Sequence, residues 1–360
     1  MTGNKSLANA RDAKKDEFYT QLTDIEKELR HYRKHFKDKV VLCNCDDPFE
    51  SNFFKYFALN FNKLGLKKLM ATCYDGSPIM GTLFDAFEEG KKPRTAYKAV
   101  VTTVYDADGD GDVDMLDVAE LFRQGENIIE KLEGNGDFRS AECLELLDEA
   151  DIVVTNPPFS IWREYVLCLI DHEKKFVIVG PNTGITYKET FPLIRDNKMW
   201  LGYGFSGGNA YFNIPKENAR DYANGVYDDK TGLVHFRNCL WFTNIDIKKR
   251  HEELIMVKRY NDKDYRHYSN YNGIDVPKMA EIPYDYPGDM GVPLTFLESF
   301  NPDQFEIIGI GMGDLAKEIG ITRNHEGRTK LEYQLDDGSF KRPFSRVVVR
   351  NLHPEQPKEA

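Results

Sequence analysis

No run of apolar residues in this chain approaches the roughly 20 that a membrane-spanning helix needs. The opening stretch, Met1 to Asp16, is polar and has no apolar segment of the kind a signal peptide carries. A cytoplasmic protein with no membrane partner is therefore expected. Cysteine is also sparse: the six thiols, Cys43, Cys45, Cys73, Cys143, Cys168 and Cys239, form no Cys-x-x-Cys pair and have no neighbouring set of His ligands. That spacing argues against structural zinc and for buried, reduced thiols. Positive charge is in deficit overall, with a net charge of −11. The deficit is uneven, because residues 195 to 360 hold 23 Lys and Arg against 25 Asp and Glu, so most of the acid lies in the N-terminal half.

What is present is an ordinary globular composition, 360 residues of which 41% are hydrophobic, enough for one large or two moderate domains. Ile25 to Phe36 and Asn52 to Asn62 have helical apolar spacing, as do Ala141 to Glu149 and Ile161 to His172. Between them stand short apolar runs, Val40–Cys45, Lys68–Cys73, Asp151–Thr155 and Lys175–Gly180. Alternation of such strands and helices predicts a doubly wound α/β fold with a largely parallel sheet. Phe236–Thr243 reads as its last strand, added antiparallel. Ligands in such sheets bind beyond the carboxyl ends of the strands.

Two segments fall at those ends. Asp46-Asp47-Pro48-Phe49 follows the first strand, and Asn156-Pro157-Pro158-Phe159 follows the run Asp151–Thr155. The second has a specific chemistry. The nitrogen lone pair of an exocyclic amino group on a nucleobase is delocalised into the ring, so it must be localised before it can act as a nucleophile. The Asn156 side-chain oxygen and the carbonyl of Pro157 can accept hydrogen bonds from such a group, and the prolines hold those acceptors rigid. Phe159 offers a face on which an extruded base stacks.

On these residues the chain resembles the γ-ordered, S-adenosylmethionine-dependent DNA adenine-N6 methyltransferases, and most closely the EcoRI-type adenine methyltransferase family, over nearly its whole length. The resemblance implies a Rossmann-like methyltransferase sheet with a C-terminal target-recognition region. It also implies direct methyl transfer from S-adenosylmethionine to N6 of a flipped adenine in double-stranded DNA, with Asn156, Pro157, Pro158 and Phe159 as the catalytic loop. Glu17, Phe18 and Tyr19 match the segment that touches the methionine portion of the cofactor. Asp46, Asp47, Pro48 and Phe49 match its loop after the first strand, although Glu50, Ser51 and Asn52 stand where the common form has glycines. Asp75 is placed to meet the ribose hydroxyls, and Asp137 with Phe138 to meet the cofactor adenine. Phe236 is expected to cover the second face of the base, with Phe205, Tyr211 and Phe212 as rivals. There is no Pro-Cys dipeptide for C5-cytosine chemistry. N4-cytosine methylation and methylation of protein glutamine use related amino and amide chemistry and stay open at this point.

One further motif belongs to another class. Asp106, Asp108, Asp110, Asp112, Asp114 and Asp117, with Gly111 at the sixth position and Val113 at the eighth, follow the ligand spacing of a calcium loop. Its twelfth residue is Asp, as in dockerin-type loops, so a structural Ca²⁺ is expected. A calcium-dependent, dockerin-like interaction module is the rival non-enzyme reading, although dockerins carry two such loops and one is visible here.

The expected organisation is a disordered segment 1–15, a methyltransferase domain 16–246 containing the acidic loop 106–117, a DNA-binding recognition region 247–353 and a disordered tail 354–360. Asn261 to Met290 reads as irregular, and the clusters Lys248-Lys249-Arg250, Lys258-Arg259 and Lys341-Arg342 with Arg346 and Arg350 as tracks for a phosphate backbone. The chain is expected to act as a monomer, with any cognate restriction endonuclease sharing its target but not bound to it.

Overall fold

The apolar runs centred on Val41, Leu69, Val153 and Val177 form four neighbouring parallel strands in the computed structural model, which describes residues 19–45, 51–73, 96–205, 208–213, 227–228 and 230–355. Among the described residues no helix is long and apolar enough to cross a membrane. Chain contacts divide the molecule into two units, one made of residues up to Gly184 with Gly202–Ile245, the other of Ile185–Leu201 with the chain from Asp246 onward. The second unit thus takes in Ile185–Leu201, which lies inside the expected domain 16–246.

In the first unit the strands among the described residues are β1 (Tyr19–Thr20), β2 (Val40–Asn44), β3 (Lys68–Thr72), β4 (Tyr97–Val101), β5 (Ile128–Lys131), β6 (Ile152–Thr155), β7 (Lys175–Pro181), β8 (Ala210–Asn213), β9 (Tyr227–Asp228), β10 (Leu233–Phe236) and β11 (Cys239–Thr243). Seven strands of the main sheet run in the order β5, β4, β3, β2, β6, β7, β11. β2, β3, β6 and β7 are parallel and buried along almost their whole length, as continuous apolar runs should be. β4 pairs antiparallel with β3, β5 with β4, and β11 with β7. From β2 the chain winds outward to β3, then returns to the other side of β2 for β6 and β7. The boundary between β2 and β6 is therefore the point where the winding reverses.

The helices of this unit among the described residues are α1 (Leu22–Leu29), α2 (Asn52–Leu59), α3 (Phe61–Leu64), α4 (Met115–Arg123), α5 (Ala141–Glu149) and α6 (Trp162–Asp171). Two expected helices are shorter than their apolar spacing suggests. Ile25 to Phe36 ends at Leu29 and continues only as a tight turn at Arg33–His35. Asn52 to Asn62 breaks at Asn60, whose side chain donates to the Tyr56 carbonyl at 2.8 Å and competes with the helical backbone.

Phe236–Thr243 is not one strand. Arg237 and Asn238 form a bend, so Phe236 ends β10 while β11 joins the main sheet. β10 belongs to a second, antiparallel sheet of order β1, β8, β10, β9. Cross-strand alternation there puts Ala210, Phe212, Val234 and Phe236 on a buried face, with Tyr211 and His235 stacked on the other at 4.9 Å.

Between Asn261 and Met290 the second unit is mostly irregular, as expected, but holds two short strands. It contains β12 (Arg266–His267), β13 (Gly273–Asp275), β14 (Asp289–Pro293), β15 (Phe305–Ile310), the hairpin β16 (Tyr333–Gln334) with β17 (Phe340–Lys341), and β18 (Arg346–Asn351). Five of these form a sheet of order β12, β13, β14, β18, β15. The first strands are two or three residues long, too short for a period of two to be visible in sequence.

Candidate active site

The ladder between β2 and β6 pairs Val41 with Ile152 and Leu42 with Val153, then stops. On the flanks the ladders run farther, to Asn44 opposite Thr72 and Thr155 opposite Ile178. The sheet therefore opens at the carboxyl ends of its two central strands, where an α/β sheet places its ligand crevice. Side chains hold the opening in shape. The Thr155 hydroxyl donates to the Asn44 carbonyl, and the Tyr165 hydroxyl of α6 donates to the Asn44 side-chain oxygen. Tyr165 is fully enclosed, and its hydroxyl titrates well above the usual range because burial disfavours the charged form.

Asn156 follows Thr155 directly, with its side-chain oxygen buried. Pro157 is buried, while Pro158 and Phe159 are half-buried. Behind them the Pro158 carbonyl accepts from Ile161 N–H at 3.1 Å, at the start of α6. Trp162 then anchors the loop: its ring nitrogen donates to the Val179 carbonyl at 3.0 Å, and its ring lies 4.6 Å from that of Phe242. Gly180 makes the room, since a Cβ there would meet the indole nitrogen at 2.2 Å.

Of the cofactor residues expected from sequence, Glu17, Phe18, Asp46, Asp47, Pro48, Phe49 and Asp75 lie outside the described residues, and of Tyr19 the backbone is described. The chain around them is informative. Cys45, at the end of β2, has φ of +82°, a left-handed conformation that is uncommon outside glycine and is concentrated at functional sites. Ser51 then caps α2, accepting from Phe53 N–H at 3.2 Å. Asn52 Nδ2 donates to the Thr20 carbonyl at 2.8 Å, so the segment before the sheet meets the helix after the first strand. Thr20 Oγ1 and Gln21 Nε2 are buried beside this contact with no hydrogen-bond partner among the described residues. Unmatched buried polar atoms fit a polar ligand at this place.

Asp137 and Phe138 lie in a loop pressed against the end of β3. Gly136 has φ of +77°, and a Cβ there would stand 2.1 Å from the Cys73 carbonyl oxygen. The strand that leads to Asp75 and the loop of Asp137 are thereby brought together. Arg139 grips Asp137 with two bonds of 2.9 and 2.7 Å and reaches Glu164 of α6 at 2.8 Å. Its guanidinium holds Asp137 below the usual carboxylate range. Phe138 is buried edge-on against Tyr165 at 5.1 Å, which links this loop to the helix behind Asn156. Phe236 is buried against Phe212 at 5.9 Å.

The acidic loop 106–117 lies between β4 and β5. Carboxylate oxygens of Asp106, Asp108 and Asp117 come within 4.8 Å of one another, while Asp110, Asp112 and Asp114 do not join this group. Asp106 accepts from Gly109 and Gly111 N–H at 2.7 and 2.9 Å, and Asp117 from Asp114 and Ala107 N–H, both at 2.7 Å. These bonds, that from Asp114 foremost, lower the Asp117 pKa. Asp114 also caps α4.

Of the basic clusters expected to follow phosphates, the arginines are engaged within the unit, while Lys248, Lys258 and Lys341 are exposed. Arg346 is buried against Asp275 at 2.9 Å, Arg350 pairs with Asp289 at 2.7 Å, and Arg342 with Glu326. Arg250 lies 3.7 Å over the Trp200 ring, and Arg259 is 3.3 Å from Asp285. The acids that neutralise them are distant in sequence, so no local count of charge reveals the pairing.

An open sheet with a crevice at its reversal point, and an Asn-Pro-Pro-Phe loop closing one side, define a Rossmann-like methyltransferase. The chain matches the family described as adenine-specific methyltransferase EcoRI over residues 6–352. It is 45% identical over 352 residues to the Type II methyltransferase M.EcoRI of Escherichia coli, covering 97% of each chain. It is 34% identical over 352 residues to M.MpnI of Mycoplasma pneumoniae, covering 95% of this chain and 96% of that one. To M.MgeORF184P of Mycoplasma genitalium it is 35% identical over 310 residues, 83% and 84% of the two chains. No solved structure matches it. The chain belongs to the EcoRI family of adenine-specific methyltransferases and is a site-specific DNA-adenine methyltransferase using S-adenosylmethionine. The N4-cytosine, protein-glutamine and dockerin-like alternatives give way to it.

Proposed function

We propose that the chain methylates N6 of an adenine swung out of duplex DNA into the crevice between the ends of β2 and β6. The observation that carries this reading is the place of Asn156: buried, directly beyond Thr155, at the reversal point of the sheet. There the Asn156 oxygen and the Pro157 carbonyl accept the two hydrogens of the amino group, drawing its nitrogen toward tetrahedral geometry and its lone pair out of the ring. Phe159 stacks on one face of the base and Phe236 encloses the other. The bound cofactor supplies an electrophilic methyl on a sulfonium, and the proton lost from nitrogen passes to solvent. Positioning does most of the catalytic work, so no covalent enzyme intermediate is needed.

Glu17, Phe18 and Tyr19 with Thr20 and Gln21 hold the methionine end of the cofactor in this reading. Asp46, Asp47, Pro48 and Phe49 line its middle, Asp75 takes the ribose, and Asp137 with Phe138 takes the adenine. Asp137 keeps acceptor capacity beyond its Arg139 pair, because a carboxylate offers about four lone-pair sites. The region 247–353, within the second unit, serves target recognition, and the protein acts as a monomer unbound by any nuclease. A Ca²⁺ ion held by Asp106, Asp108 and Asp117, with Asp110, Asp112 and Asp114 around it, braces the β4–β5 edge. Support for it comes from the ligand spacing and the convergence of three carboxylates.

The test is transfer of labelled methyl to unmethylated genomic DNA, followed by mapping of the modified base. Label on N6 of adenine at a recurring sequence is the expected result, lost in Asn156→Ala. Label on cytosine or on protein would overturn the reading.

A further inference from the structure

Trp241 lies in β11 opposite Val179 of β7 and is 1% exposed. Its indole nitrogen is buried with no hydrogen-bond partner among the described residues, whereas that of Trp162 has the Val179 carbonyl. A dry, unmatched donor is costly, and native interiors seldom keep one without a use. The ring is held firmly. Phe205 stacks on it with ring centres 5.5 Å apart, and Phe53, at the start of α2, meets it edge-on at 6.0 Å. Gly202 N–H donates to the Trp241 carbonyl at 2.9 Å, and a Cβ on Gly202 would stand 2.9 Å from that of Trp241, so the turn that carries Phe205 lies directly on it. Glu28 of α1 fixes this turn, accepting from the N–H groups of Tyr203 and Gly204 at 2.9 and 3.0 Å and from the Tyr32 hydroxyl at 2.7 Å.

Two chains of contact lead from this ring to Thr20. Phe205 lies 6.2 Å from Phe212, and Phe212 is the paired partner of Thr20 across β8 and β1. Paired residues project to one face, so the Thr20 side chain points with that of Phe212 into the buried side of the small sheet, where Thr20 is 2% exposed. On the other side Asn52, the neighbour of Phe53, donates to the Thr20 carbonyl at 2.8 Å. Trp241, Phe205, Phe212, Thr20, Asn52 and Phe53 thus form a closed circuit within the first unit. It holds two buried polar atoms without a partner among the described residues, Trp241 Nε1 and Thr20 Oγ1. An indole nitrogen only donates, so the ligand atom opposite it is an acceptor. S-adenosylmethionine has acceptors on its carboxylate, ribose and adenine. The residues read as holding the ribose and the adenine, Asp75 and Asp137, follow β3 or press against its end, on one side of β2, whereas β11 lies on the other. The carboxylate is the acceptor on this side, and its charge makes the strongest use of neutral donors.

We propose that Trp241 Nε1–H and the Thr20 hydroxyl donate to the carboxylate of S-adenosylmethionine and so fix the methionine end of the cofactor. The inference rests on the reading of Glu17 to Gln21 as the segment that holds that end. Calorimetric titration of the full chain compares S-adenosylmethionine with its decarboxylated analogue, which keeps the sulfonium, the amino group and the nucleoside. Trp241→Phe keeps a ring and removes the donor, and Thr20→Val keeps the shape and removes the hydroxyl. Each variant binds S-adenosylmethionine at least about tenfold more weakly, the share of one hydrogen bond to a charged group, and binds the analogue as wild type does. Unchanged S-adenosylmethionine affinity in Trp241→Phe, or equal losses for the two ligands, overturns the assignment, since a packing defect does not distinguish them. Where melting shows that Trp241→Phe does not fold, Thr20→Val decides by the same criterion. Glu17→Gln separates this inference from its parent. If that variant loses S-adenosylmethionine affinity while Trp241→Phe does not, only the role of Trp241 falls; if neither loses affinity, the methionine end lies elsewhere and both readings fall.

Discussion

Thr155 donates its hydroxyl hydrogen bond to the backbone carbonyl of Asn44, fastening the last residue of β6 to the last residue of β2 at the point where their ladder has ended. A side chain has taken over from the backbone at the mouth of the crevice. Thr155→Val keeps the shape and removes the donor, leaving a buried carbonyl unmatched. A loss of about 1–3 kcal/mol is expected in denaturant unfolding. The fall in kcat should exceed any rise in KM for DNA, because Asn156 is the next residue.

Gly136→Ala brings a Cβ against the Cys73 carbonyl and asks an L-residue to hold φ of +77°. The cost is of order 1–3 kcal/mol from backbone strain, with the clash in addition. Calorimetry should show S-adenosylmethionine binding weakened at least about tenfold in the folded variant, if displacing Asp137 by an ångström costs what misplacement costs elsewhere. Binding equal to wild type would mean that this loop does not hold the cofactor.

His251 hydrogen-bonds Asp246 at 2.7 Å and Asp303 at 3.2 Å, and these carboxylates raise its pKa above the ordinary value. The folded state therefore binds the proton more tightly than the unfolded chain. Stability from this source is fully present below about pH 6.5 and is lost as pH rises through the folded pKa. Melting temperatures between pH 6 and pH 8.5 should fall more in wild type than in His251→Gln; parallel profiles would show that the pair contributes nothing.

Elemental analysis of protein dialysed against trace Ca²⁺ should find one ion per chain. Chelation should lower the melting temperature, and Asp117→Asn should remove that sensitivity while methyl transfer persists in reduced amount. An identical melting curve with and without chelator would exclude a structural ion.

The centre of the sheet was legible in sequence because strands buried on both faces are continuous apolar runs, as in Val40–Asn44 and Lys175–Pro181. The edge was not: Ile128–Lys131 is largely exposed, and Tyr97–Val101 is separated from it by the acidic loop, so neither stands out. The Asn-Pro-Pro-Phe loop could be read because its chemistry is local. Gly136 against Cys73, Thr155 on Asn44 and Arg346 in its pair with Asp275 could not, since each depends on residues brought together over 60 or more positions. Separation along the chain likewise hides the carboxylate partners of Arg259, Arg342, Arg346 and Arg350, while Lys248, Lys258 and Lys341 of the same clusters stay exposed.

The second unit is assembled from two separate stretches, Ile185–Leu201 and the chain from Asp246 onward. Neither unit is then a contiguous fragment. A truncation at residue 246 would strand Ile185–Leu201 without the chain it packs with, and a single recombination event between relatives could not exchange this unit whole. Its inheritance as a block takes two breakpoints at once.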